Sequence, residues 1–297
     1  MSAVSASDAL QDAKTRPMAI KGLESEMLAK AKEHLATGLD GLRVAAHIAT
    51  TRVDYLKALY EATSAPEGMA LLVTGGLGRG IASPHSDLDI VFLAHEPESE
   101  ETRAFLERFL YPLWDAGLAI GHSIHTPTSY VDLGEDDLSV LTSILDRRWI
   151  AGSEALAQEL DQVASTSLQE PSYRKVMVDA IRGWTQGVNS ATSHRLEPDI
   201  KGGAGGLRTL HEVWWAARYL WGVNHWRELL TETPLEAHDV DILMYGFRLL
   251  LEVRLALHFE SPRRQDTLRF EFQSGVAHEL GIIDSAHELA AANRLLT

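Results

Sequence analysis

The apolar positions of the chain change period as it is read from end to end. Over residues 21–63 they recur at three-and-four spacing, which predicts helix, with interruptions near Gly38 and Gly41. Residues 1–20 lack that period and read as a loose leader. GMALLVTGG and LDIVFLA are then short apolar runs of the kind that form buried strands, and GLGRGIASPHS between them has the glycine and proline chemistry of a loop. SEETRAFLERFLYPLWDAG (99–117) predicts an amphipathic helix with Ser99 as its N-cap and glutamates near its start. LAIGHSIHT is a third candidate strand, and LSVLTSILDRRWIAG reads as one further helix. From about residue 171 the period is helical almost throughout, in PSYRKVMVDAIRGWTQGVN, LRTLHEVWWAARYLWG, DVDILMYGFRLLLEVRLALHFE and EFQSGVAHELG, and the final HELAAANRLLT reads as a helix still running. No internal repeat or low-complexity segment interrupts this order. The expectation is an α/β (α+β) core behind a helical leader and ahead of an all-α helical bundle: 1–65, 66–160 and 161–297.

Composition narrows the classes. A chain of 297 residues with 45% hydrophobic and 23% charged residues is long enough for two cored domains. It has no cysteine, which excludes disulfides and thiolate metal sites. No basic-then-apolar leader and no run of 18 apolar residues is present, so a cytoplasmic protein is expected. The net charge of −15 lowers the expectation of a nucleic-acid grip, which lives on neutralised phosphates, but suits a nucleotide brought in with a divalent metal.

The chemistry concentrates in TGGLGRGIASPHSDLDI (74–90). Residues two apart on a strand face the same way, so Asp87 and Asp89 aim two carboxylates at one place while Leu88 and Ile90 face the core. Two such carboxylates repel, and a hard cation such as Mg²⁺ resolves the conflict. Gly75 and Gly76 allow backbone N–H groups close to a phosphate, and Arg79 is placed either to pair with a phosphate oxygen or to brace the loop. Taken singly, D-x-D and GG are common in solvated strands and turns. GLGRG is no dinucleotide fingerprint, because loop and strand rather than helix are expected to follow it.

The combination of strand, GG, a loop of about ten residues and an S-D-x-D strand resembles the nucleotidyltransferases related to DNA polymerase β. More particularly, GGLGRGIASPHSDLDIVFL resembles the motif of the bacterial PII uridylyltransferases. LWDAGLAIGHSIHT, LEPDIKGGAGGLRTLHEVWWAARY and RRQDTLRFEFQSGVAHELG resemble three later stretches of that family in the same order, over roughly residues 70–285. The resemblance implies a polymerase β-like core that transfers UMP from UTP to a tyrosine of a PII-type signalling protein. It implies Mg²⁺ on Asp87 and Asp89, and nucleotide contacts from Gly75, Gly76, Arg79, Ser86, Lys201 and Arg208. Gly205 and Gly206 fall in the same central motif.

Three departures bear on that reading. Leu77 stands where the family usually has an aromatic residue, and Thr209 where its central motif has Asp. No acid occupies the third candidate strand, where the polymerase β superfamily usually carries a third carboxylate; His122 lies there, as a base or as a packing residue. Full-length family members continue into phosphohydrolase and ligand-sensing domains that cannot fit after residue 285, so UMP removal and glutamine sensing are not expected of these residues. A regulatory pseudoenzyme, or a transferase acting on a small molecule or an RNA end, remains open at this point. Of the 13 histidines none has zinc-ligand spacing, and the tryptophans of the helical half read as core.

Overall fold

The computed structural model describes residues 9–189 and 196–282, so the reading of the final HELAAANRLLT, and of residues 1–8 as part of a loose leader, falls outside the described residues. In chain order the elements are α1 (Arg16–Ala36), α2 (Gly41–Ala62), β1 (Ala70–Val73), α3 (Gly75–Gly78), β2 (Leu88–Leu93), α4 (Glu100–Asp115), β3 (Ile120–His125), α5 (Pro127–Leu133), α6 (Leu138–Asp146), β4 (Arg148–Gly152) and α7 (Glu154–Ser167). They continue as α8 (Pro171–Asn189), α9 (Leu207–Trp221), a 3₁₀ turn at Trp226–Glu228, α10 (Leu229–Glu232), α11 (Ala237–Glu260) and α12 (Phe270–Glu279). This is an α+β protein with one small mixed sheet among the described residues.

The chain divides into two compact units. The first takes in Met1–Ala29, Ala46–Ala82 and Ser86–Val176, the second Lys30–Ala45, Ser83–His85 and Met177–Thr297, each counted over its described residues.

The first unit holds the sheet, in the order β3-β2-β1-β4. β1 pairs antiparallel with both β2 and β4, and β2 pairs parallel with β3. A parallel neighbour needs a crossover, and α4 supplies it. Ser99 Oγ caps α4 by accepting from the Thr102 N–H at 3.2 Å, with Glu100 and Glu101 in the first turn where the helix dipole favours negative charge. Phe105 and Phe109 of that helix are fully buried and meet Phe92 of β2 edge to face, with centroids 5.9 and 5.3 Å apart.

Two expectations are corrected here. Residues 9–20 are no loose leader: Leu10 and Ile20 are fully buried. Arg16 explains it, since its guanidinium donates to the carbonyls of Leu10 (2.7 Å) and Ala62 (2.6 Å) and stitches the segment to the end of α2. LSVLTSILDRRWIAG is not one helix: α6 stops at Asp146 and Arg148–Gly152 forms β4. The switch costs no backbone hydrogen bonds, because the strand finds a partner in β1. In the second unit the described elements are helices, joined by one isolated bridge between Asp199 and Thr267. Trp214 stacks on Trp226 at 4.5 Å and Trp226 lies against Phe247 at 5.2 Å.

Candidate active site

Strand β2 carries Asp89, and Asp87 immediately precedes the strand, in the D-L-D-I alternation. Leu88 and Ile90 are 1% exposed and face the core, whereas Asp87 and Asp89 are half-buried on the other side. The rest of β2 is buried on both faces, so that second face opens only at this end of the strand. The strand is held there by Leu88 N–H donating to Ala119 O at 2.9 Å and by Thr74 N–H donating to Asp89 O at 3.0 Å.

The glycines meet Asp89 directly. Gly75 has φ +53°, and a Cβ on it would stand 2.7 Å from Asp89 Oδ2. On the neighbouring strand Gly121 is in register with Asp89, and a Cβ there would stand 3.0 Å from Oδ1. The carboxylate therefore lies between two bare stretches of backbone, in space that any other residue at either position would fill. GLGRG is not wholly loop, because Gly75–Gly78 form one helical turn. Thr74 makes no side-chain cap on it. Gly76 is needed for a second reason: a Cβ would meet Ile81 O at 2.7 Å.

Arg79 is engaged with Asp146, whose side chain is 1% exposed, through a short ion pair and hydrogen bond. Arg148 donates to Leu77 O at 2.7 Å from the adjoining strand. Of the two roles open to Arg79, this geometry serves the loop brace. Leu77, in the place of an aromatic, is buried at 1% exposure.

His122 is not a core residue. It is in register with Ile90, which puts it on the sheet face away from Asp89, and it is exposed against Trp114 at 5.6 Å. The residue of β3 that does stand beside Asp89 is Gly121, so no third acid comes from that strand. Tyr130 lies within electrostatic reach of Asp89. Burial, helped by the charges of Asp146 and Asp89, pushes its phenol up to about 12 and keeps it a donor, hydrogen-bonded to Ser143 Oγ at 2.6 Å.

Lys201 and Arg208 belong to the second unit. Their loop closes on Asp199: its Oδ1 accepts from the N–H of Lys201 (2.9 Å) and Gly202 (2.7 Å), and its carbonyl accepts from Gly203 at 3.1 Å. Leu207 and Arg208 N–H donate back to Ile200 and Lys201 carbonyls at 2.9 and 2.8 Å. The first N–H groups of α9 are thus consumed within the loop, leaving the Lys201 and Arg208 side chains as its means of meeting an anion. Arg208 lies over the Trp215 ring at 5.5 Å. Burial, then the charges of Arg254, Arg264 and Arg208, hold the Lys201 ammonium below its ordinary pKa, against the opposing pull of Asp266. Asp266 is bound by Arg254 at 2.7 Å and by His258 at 3.3 Å. Arg254, Asp266 and His258 were not singled out from the sequence as site residues; RRQD offered a signal only for its arginines.

The residues fit a divalent cation. Two half-buried carboxylates, one on β2 and one just before it, supply hard oxygen donors, and the glycines leave room around Asp89. Among the described residues no group of three or more His, Cys, Asp or Glu is placed to hold a metal ion. An ion at Asp87 and Asp89 would therefore complete its shell with water and substrate oxygens, as Mg²⁺ commonly does.

Paired aspartates therefore stand against a glycine turn on a small mixed sheet. In comparison with known proteins, residues 184–296 match the family model of the GlnD PII-uridylyltransferases. The chain is 37% identical over 220 residues to a bifunctional uridylyltransferase/uridylyl-removing enzyme of Pseudomonas putida (strain W619), covering 73% of this chain and 24% of that protein. It is 30% identical over 266 residues to the enzyme of the same name from Caulobacter vibrioides (strain NA1000 / CB15N), covering 86% of this chain and 28% of that protein. The chain thus spans about a quarter of the length of these curated relatives. Among the described residues no helix is long and apolar enough to cross a membrane.

Proposed function

We propose that this chain is a Mg²⁺-dependent nucleotidyltransferase, acting in the cytoplasm, that transfers UMP from UTP to a tyrosine of a PII-type protein. The observation that carries the reading is the Asp87–Leu88–Asp89 alternation with the Asp89 carboxylate set between Gly75 and Gly121. In the reaction the tyrosine hydroxyl gives up its proton to solvent as its oxygen forms a bond to the α-phosphorus, and the bond from that phosphorus to the β-phosphate oxygen breaks, releasing pyrophosphate. Mg²⁺, when bound, supplies charge neutralisation on the phosphates and a lowered pKa for the attacking hydroxyl. Asp87 and Asp89 hold it. Gly75 and Gly76 present backbone to the triphosphate, Ser86 adds a hydroxyl, and Lys201 and Arg208 supply cationic contacts to the nucleotide. Arg79 acts through the loop it braces against Asp146. We read 66–160 as a polymerase β-like core, 1–65 as its helical lead-in and 161–297 as a helical bundle.

The test is transfer of label from α-labelled UTP, ATP, CTP and GTP onto purified PII protein with Mg²⁺, using the wild-type chain and Asp89→Asn. Label from UTP that falls about 10³-fold or more in the variant is the expected result. Label from another nucleotide moves the substrate assignment. No label with nucleotide binding intact overturns transfer by this chain and favours a regulatory, binding role.

A further inference from the structure

Within the first unit, three buried polar side chains lie behind the aspartate strand and take no part in the mechanism above. Arg52 of α2 is 2% exposed, Glu24 of α1 8% and Tyr55 of α2 2%. Arg52 binds Glu24 with both arms of its fork, Nε to Oε1 at 2.9 Å and Nη2 to Oε2 at 3.0 Å, while Tyr55 O–H donates to the same Oε1 at 2.7 Å. Burial opposes the Arg52 charge, but Glu24 outweighs it and the guanidinium is held above its ordinary pKa. Burial likewise keeps Tyr55 protonated as a donor.

A bidentate pair fixes the plane of a guanidinium, and with it the direction of the remaining nitrogen. That nitrogen, Nη1, faces the backbone carbonyl of Ser86 at 3.5 Å. Ser86 is the residue before Asp87, and Asp87 immediately precedes β2. Asp89 lies within the register of β2 and β3, whereas Asp87 stands just ahead of it. A buried ion pair is a poor way to gain stability, since an apolar pair of similar volume often does as well or better. Its Nη1, turned to the carbonyl just before Asp87, gives it another use.

We propose that Arg52, oriented by Glu24 and Tyr55, is a positioning residue for Asp87: it holds the Ser86 carbonyl so that the Asp87 carboxylate stays beside that of Asp89. The proposal rests on the metal reading of those two aspartates. It is tested without nucleotide or acceptor, by Mn²⁺ binding to the intact chain followed by electron paramagnetic resonance, together with thermal melting. The double variant Arg52→Met/Glu24→Leu replaces the ion pair at similar volume. Expected is a melting temperature within a few degrees of wild type, with Mn²⁺ affinity lowered roughly 10-fold. Added to Asp87→Asn, the same pair of substitutions should cost nothing further, because Arg52 acts through Asp87. Arg52→Lys, which keeps the charge but not the fork, should lose Mn²⁺ affinity in the same direction, and decides the matter if the double variant does not fold. Unchanged Mn²⁺ affinity in folded Arg52 variants overturns the positioning role and leaves the metal reading standing. No Mn²⁺ binding by the wild type removes both.

Discussion

Two glycine-rich turns look alike on paper and do opposite things with their backbones. At 74–80 the turn opens toward a carboxylate: Gly75 and Gly121 give up their side-chain space to Asp89, and Thr74 leaves the helical turn without a side-chain cap. At 199–208 the turn closes on a carboxylate: Asp199 accepts the N–H groups of Lys201 and Gly202, and the start of α9 bonds back to the loop. A glycine cluster therefore marks a close approach of backbone to something negative, but not whether that group is the protein's own. The distinction is made by where the N–H groups go.

The sharpest way to break the comparison is Gly75→Ala. The new Cβ would meet Asp89 Oδ2 at 2.7 Å, at a position whose φ of +53° already disfavours a side chain. The carboxylate must move, and uridylyl transfer should fall on the order of 10³-fold, as for Asp89→Asn. The backbone strain alone costs only about 1–2 kcal/mol, so the protein should still fold. Combined with Asp89→Asn the loss should not deepen. A Gly75→Ala chain that transfers label at the wild-type rate would show that Asp89 is not held by that contact.

Much of this was legible beforehand, and the misses share a cause. Helical period gave α2, α4, α8, α9 and α11 within a few residues, and alternation put Leu88 and Ile90 on the face opposite the aspartates. What failed depended on partners far along the chain. β4 is a five-residue strand whose only reason to be extended is β1, some 75 residues earlier. Arg52 sits in a helical pattern where a charge reads as solvent-facing, and Glu24, from another helix, pairs with it in the interior. The N-terminal segment looked loose because its apolar positions are sparse, yet buried Arg16 ties it down through carbonyls that carry no sequence signal. The sequence leaves His122 as a base or a packing residue, and register places Gly121 rather than His122 beside Asp89.

Acid should act on the closed turn through its support. Ile200 N–H donates to Asp266 O at 2.7 Å, so the turn is anchored to the residue that binds His258 and Arg254. His258 Nδ1 accepts from His85 N–H at 3.2 Å, which places its own proton on Nε2, toward Asp266. Burial first, then the charges of Arg254 and His85, bring its pKa down to about 4 in spite of Asp266. The sign follows: from pH 6.5 downward the unfolded chain takes up a proton that the folded one refuses, so stability is lost between about pH 6.5 and 4, by up to about 3 kcal/mol. Asp266 adds to this only at lower pH. Burial pushes it up, but the His258 hydrogen bond and Arg254 outweigh that and hold it well below the usual carboxylate range. Denaturant melts across pH 7 to 4.5 should show this slope, and His258→Gln should flatten it. An equal slope in the variant would assign the acid sensitivity to other groups.

The smallest effect sharpens the comparison most, because it separates stability from chemistry. In Gly203→Ala the added Cβ would stand 2.4 Å from Asp199 O, a backbone atom that cannot swing aside. The closed turn must loosen, at about 2 kcal/mol, which for a chain of this length lowers the melting temperature by roughly 4–8 °C. Metal binding at Asp87 and Asp89 should be untouched, since that pair and its glycines belong to the first unit. The two glycine substitutions thus predict opposite patterns: Gly75→Ala loses transfer and Mn²⁺ affinity with a modest change in melting, Gly203→Ala loses melting temperature with Mn²⁺ affinity intact. If Gly203→Ala instead weakened Mn²⁺ binding as much as Gly75→Ala does, the second turn would be shaping the metal site, and the division between an open turn that serves chemistry and a closed one that serves structure would fail.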